Sequence, residues 1–195
     1  MDFLFFYHMN KPINISKGDL LFSDISVLGD VYFSRSVILL ADHNDLETVG
    51  FMINKPTKLS LCDFLPDFDC FFTIYYGGPV GLDSIFFIHN LPESIPDSIL
   101  IGNGIYWGGD FDKLTYLLKN NLINKNQIRF FNGYSGWSKE QLNNEINQNS
   151  WIISENYFKN EIFQTSNKLI WKNHIKDLGL DYKLFFNAPE NPNYN

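Results

Sequence analysis

A single mixed α/β (α+β) domain is the fold class predicted by three observations. The first half carries short aromatic and β-branched runs divided by turn residues. The second half carries three segments of helical periodicity with recognisable ends. At 195 residues the chain can bury one sizeable core. Composition agrees, since 45% hydrophobic and 19% charged residues separate it from disordered sequences. Residues 1–17 read as a lead-in, 18–186 as the domain, and 187–195 ("NAPENPNYN") as an extended tail with two prolines among polar residues.

The strands come first. "DLLFS" (19–23), "SVILLAD" (36–42), "TVGFMIN" (48–54), "FFTIYY" (71–76), "SIFFIHN" (84–90) and "IRFFNGY" (128–134) each fit a strand. "SILIGNGIYWG" (98–108) reads as two short strands with Gly102 and Gly104 at a bend or bulge. Many of these runs are apolar at successive positions, which predicts cover on both faces. The helices follow. "DFDKLTYLLKNN" (110–121) spaces Leu114, Leu117 and Leu118 helically behind Asp110 as N-cap. In "WSKEQLNNEINQN" (137–149), Ser138 and Gln141 fit a capping box, and Trp137 with Leu142 a hydrophobic staple. "SNKLIWKNHIKDLG" (166–179) aligns Trp171, Ile175 and Leu178 and stops at Gly179.

Charge and cysteines narrow the function. The net charge of −7 disfavours nucleic acid unless a basic patch is segregated. Lys168, Lys172 and Lys176 on one helix face are the basic element that could serve it, and no helix-turn-helix surrounds them. Cys62 and Cys70 are too few and wrongly spaced for zinc, so two reduced thiols are expected, with a disulfide as the alternative. The apolar run near the N-terminus has five residues behind Asp2, too short for a signal peptide or a membrane span. The expected location is cytoplasmic, with no membrane, cofactor or metal.

The stretch "DHNDLETVGFMINKP" (42–56) carries the most polar chemistry. If 37–41 and 49–53 pair as a hairpin, facing residue numbers sum to about 90. His43 and Asn44 then sit at one end, and Asn54 and Lys55 face Ser36 and Arg35 at the other. At roughly 3.3 Å per residue the two ends lie about 17 Å apart and cannot share a small substrate. His43 is read as a turn residue. Arg35 and Lys55 beside Asn54 form a candidate anion site, because neighbouring cations favour an anion between them; solvated rim charges are the alternative. Pro56 is expected to end the strand. Gly77-Gly78 in "YYGGPVG" reads either as a tight turn or as an anion-binding nest. "GYSGW" (133–137) lacks the final glycine of a nucleophile elbow, so Ser135 carries little hydrolase signal.

Together, "FSRSVILLADHN" (33–44), "GFMINKP" (50–56), "GGPV" (77–80), "FIHN" (87–90), "GIYWGGD" (104–110), "GYSGWSKEQLNNEI" (133–146) and "SW" (150–151) resemble, in order, the AlgH/YqgE family of bacterial proteins. The resemblance implies a mixed, bifurcated sheet curled into a pseudo-barrel and flanked by helices. It marks Arg35, His43, Asn44, Asn54, Lys55, Pro56, Gly77, Gly78, Pro79, His89, Gly136, Trp137 and Gln141 as positions matching the family pattern, and implies no agreed catalytic residue. One branch carries a transcriptional-regulator label. Three functions are therefore in play. The leading one is a non-enzymatic protein binding a small anion or a protein partner, with indirect regulatory effect. The others are a DNA-binding regulator, and a hydrolase or transferase using His43 or His89.

Overall fold

A computed structural model of the chain describes residues 15–68, 72–158, 162–163 and 169–178. In order the strands are β1 (Leu20–Ser23), β2 (Val37–His43), β3 (Glu47–Met52), β4 (Pro56–Ser60), β5 (Thr73–Tyr76), β6 (Val80–His89), β7 (Ile99–Gly102), β8 (Ile105–Trp107), β9 (Ile128–Ser138) and β10 (Trp151–Ser154). The helices are α1 (Phe111–Lys119), α2 (Lys139–Asn147) and α3 (Ile170–Asp177). The lead-in before Ile15, Cys70, Lys168, Gly179 and the tail lie outside the described residues.

β9 is the junction of the sheet. One edge pairs antiparallel with β6, from Val80↔Tyr134 to His89↔Ile128. The other edge divides. Its C-terminal part pairs antiparallel with β3, and Phe130–Asn132 pair parallel with β5. The sheet is thus mixed and bifurcated, with the path β10-β1-β2-β3-β9-β6-β8-β7 and β4–β5 as the branch. Among the described residues β7 forms no ladder with β1 or β10, although it comes close to the start of β1. A Cβ added to Gly18, just before β1, would meet the Ile101 carbonyl oxygen of β7 at 3.4 Å. The sheet is curled but open, in keeping with the pseudo-barrel that the resemblance implies.

Alternation along the strands sorts the core into three clusters. Leu20, Phe22, Val37, Leu39, Phe51 and Phe131 point inside the curl, which α3 covers with Trp171 and Ile175. Leu21, Ile38, Leu40 and Met52 point the other way and meet Leu142 of α2 and Trp151. Ile128 and Phe130 of β9 join Phe87 beneath Leu114 and Leu118 of α1. Cover on both faces is the reason the strands carry unbroken apolar runs. Each fully buried side chain of this size contributes about 1.5–3 kcal/mol.

The β2–β3 hairpin keeps the expected register. Ile38↔Met52, Leu39↔Phe51 and Leu40↔Gly50 all sum to 90. A bulge between Leu40 and Asp42 then shifts the pairing, so His43 faces Thr48. Asp110 caps α1 by accepting from the Asp112 and Lys113 amides, and Ser138 caps α2 by accepting from the Gln141 amide. Four local expectations need correction. The Gln141 carboxamide donates to Glu145 rather than reaching back to the cap, because the Ser138 backbone already belongs to the β9 ladder with Glu47. β3 ends at Met52, and Pro56 opens β4, an edge strand where a missing ladder donor is tolerated. Leu178 is 41% exposed, at the C-cap just past the end of α3. β4 and β10 are additional to the strands expected from the sequence.

Candidate functional site

Asn54 and Lys55 lie just past the end of β3, and both hold the turn before β2. The Asn54 Oδ1 accepts from the Val37 amide at 2.8 Å, and its Nδ2 donates to the Arg35 carbonyl at 2.8 Å. The Lys55 Nζ donates to the Ser34 carbonyl. Arg35 takes a left-handed φ of +54°, rare for a long side chain, with the Asn54 carboxamide tied to the backbone on both sides of the next residue. Its guanidinium carbon lies 5.7 Å from the centre of the Trp171 ring in α3. The structure therefore brings Arg35, Asn54 and Lys55 together at the sheet end.

Gly77 and Gly78 come to the same end, since the Met52 amide donates to the Gly77 carbonyl at 3.0 Å. Their glycine character follows from backbone packing. A Cβ on Gly77 would lie 2.1 Å from the Gly133 oxygen, and one on Gly78 would lie 2.2 Å from the Tyr134 carbonyl carbon. The Gly77 amide donates to the Asn132 carbonyl at 2.9 Å, so this nitrogen is engaged in joining β5 to β9.

A third cation, which sequence reasoning passed over, touches this neighbourhood from β9. Arg129 is 5% exposed. Its Nη1 donates to the Ile53 carbonyl at 3.1 Å and its Nη2 to the Ile162 carbonyl at 2.7 Å. The guanidinium carbon lies 4.6 Å from the Tyr75 ring centre. Among the described residues no carboxylate pairs with it, its hydrogen bonds go to these two carbonyls, and none of its nitrogens is at once fully buried and without a partner. Burial pushes its pKa down to about 10, with Tyr75 acting in the opposite direction, so it remains charged at neutral pH. Arg129 lines a cavity of about 210 Å³ at the start of β9, walled by Phe72, Tyr75, Phe130 and Phe163, with Lys125 and Asn126 also on its lining. The available signal was a charge inside the apolar run "IRFF", where neighbours on both sides are buried.

The candidate catalytic groups are engaged elsewhere. His89 is fully buried, with Nε2 2.9 Å from the Gly108 carbonyl and Nδ1 accepting from the Leu91 amide at 3.1 Å. That pair of bonds requires the neutral tautomer with its proton on Nε2, and burial lowers the ring's pKa. His43 Nδ1 lies 2.7 Å from the Thr48 hydroxyl across the hairpin. Asn44 caps the adjoining turn by accepting from the Leu46 and Glu47 amides. The Ser135 hydroxyl donates to the Gly77 carbonyl at 3.1 Å from the middle of β9. Pro79 lies between Gly78 and β6, and Gly136 pairs with Val49. Trp137 donates its indole N–H to Glu145. A second cavity, of about 370 Å³, is lined by Leu46, Val49, Val80, Tyr134 and Trp137.

Comparison with known proteins agrees with this architecture. A family model described as AlgH-like matches residues 20–183. A UPF0301 protein of Bacteroides fragilis is 42% identical over 186 residues, covering 92% of this chain and 91% of the relative. One from Chlorobium limicola is 35% identical over 188 residues, covering 96% and 100%. Among solved structures, a protein of Corynebacterium diphtheriae superposes with a TM-score of 0.70 at 18% identity, covering 94% of this chain and 97% of that one. The AlgH protein of Pseudomonas aeruginosa superposes at 0.69 and 21%, covering 92% and 97%, which shows a shared fold. With the model matched over most of its length and relatives above 30% identity along nearly all of it, the chain belongs to the AlgH-like family.

Proposed function

We propose that this chain is a cytoplasmic, non-enzymatic protein that binds a small anion at the sheet end where Arg129, Arg35 and Lys55 meet the Ile53–Lys55 segment, and that any regulatory effect is indirect. The observation that carries this reading is Arg129. A guanidinium removed from water costs several kcal/mol unless its charge and donors are met. Two backbone carbonyls meet it only in part. It lines a cavity that an anion could enter. Arg35 and Lys55 stand on the adjoining turn, outside the cavity lining, and Asn54 fixes the backbone that carries Arg35.

The rival readings have less support. A hydrolase or transferase needs a base free to take a proton, and both ring nitrogens of His89 are bonded to backbone groups. A DNA-binding regulator needs a basic face to offset the −7 charge, and Lys172 and Lys176 on α3 stand beside Asp177. Calorimetric titration with phosphate, nucleotides and small carboxylates tests the proposal. The expected result is saturable binding of at least one class that is weakened in Arg129→Gln and in Arg35→Ala. Heat from none of them sinks it.

A further inference from the structure

We infer that the ligand of the Arg129 cavity is a small monocarboxylate carrying a flat or short apolar body, an inference that rests on the anion-binding reading above. Size sets the first bound. The cavity has a volume of about 210 Å³. That suits a single ring or short chain with one acid group, and it lies below the range of drug-sized or nucleotide sites.

Charge sets the second. Arg129 is the one buried cation on the lining, whereas Lys125 is exposed and its charge is screened by water. One carboxylate beside one guanidinium leaves the buried pair neutral. A phosphate monoester, with roughly −1.5 to −2 charge at pH 7, would bury uncompensated charge. The planar fork of a guanidinium also matches two carboxylate oxygens side by side.

The walls set the third. Phe72, Phe130 and Phe163, each less than 10% exposed, line the cavity together with Thr73 and Asn126. Such a lining offers ring contact to a small flat body on one side, while Thr73, Asn126 and Lys125 offer hydrogen bonds at its rim.

Titration calorimetry of the full chain with benzoate, inorganic phosphate and ADP decides the matter. Benzoate is expected to bind saturably, and Arg129→Lys, which keeps a cation but loses the fork, to weaken it at least tenfold. Phosphate and ADP are expected to give no saturable heat. Binding of phosphate or ADP that depends on Arg129, with benzoate inert, would overturn the carboxylate class and leave the anion reading standing. Absence of any Arg129-dependent binding overturns both. Should Arg129→Lys fail to fold, saturation transfer in the wild-type chain decides. Transfer from aromatic protein protons to the benzoate ring supports the seat among Phe72, Phe130 and Phe163. Bound benzoate without such transfer overturns it.

Discussion

Glu145 and Arg129 are both charged side chains taken at least partly from water without an opposite charge, and the protein treats them differently. Glu145 on α2 is met by neutral donors. Its Oε2 accepts the indole N–H of Trp137 at 2.9 Å and of Trp151 at 2.7 Å, and its Oε1 accepts the Gln141 carboxamide at 2.8 Å. Phe33 packs edge-on against Trp151 to close the cluster. Arg129 is more deeply buried, yet it has two carbonyl acceptors and an aromatic ring, and it lines a cavity. A saturated buried charge acts as a fastener for the fold. For the second, which lines a cavity, the proposed role is to hold a ligand.

That contrast can be broken by stability measurements. Glu145→Ala leaves two indole donors and a carboxamide without an acceptor, and urea unfolding is expected to show a loss of about 3 kcal/mol. Anion binding at the Arg129 cavity should be unaffected once the chain is folded. Asn54→Ala removes the two bonds that secure the turn at Arg35, with an expected loss of about 1–3 kcal/mol in the same assay. It should also weaken anion binding, because it loosens Arg35. A loss of stability without any change in binding would confine Asn54 to a fold role.

How much of this contrast the sequence made legible depends on the distance over which the signals act. The hairpin register, the Asp110 and Ser138 caps and the apolar runs are local or period-two patterns, and the structure follows them. β4 was missed because "PTKLS" begins with Pro56 and has little apolar content, so only pairing with β5 makes it a strand. β10 is four residues long and is defined by its register with β1 far away in the chain. The cations Arg35 and Lys55 were legible as hairpin neighbours. Arg129 was not, because its partners Ile53 and Ile162 lie 76 and 33 residues away.

Acid unfolding sharpens the comparison from the side of the neutral groups. Burial lowers the His89 pKa below its ordinary 6.5, so the unfolded chain takes up the proton first as pH falls. Stability is therefore complete above 6.5 and declines as pH drops below it. Urea midpoints measured from pH 7.5 to 5.5 should fall in the wild type and fall less steeply in His89→Gln. Some slope should remain, because burial also lowers the pKa of His174. Equal slopes in both chains would mean that His89 does not titrate with folding.

The smallest expected change in stability is also the most informative one. Arg129→Met fills similar volume without a charge, and replacing a buried ion by an apolar group is often close to neutral. Unfolding and benzoate binding measured together on wild type and Arg129→Met test the central claim most directly. The account predicts a folding free energy within about 1–2 kcal/mol of wild type and loss of benzoate binding. A fall of more than about 3 kcal/mol with binding retained would make Arg129 a fastener like Glu145 and contradict it.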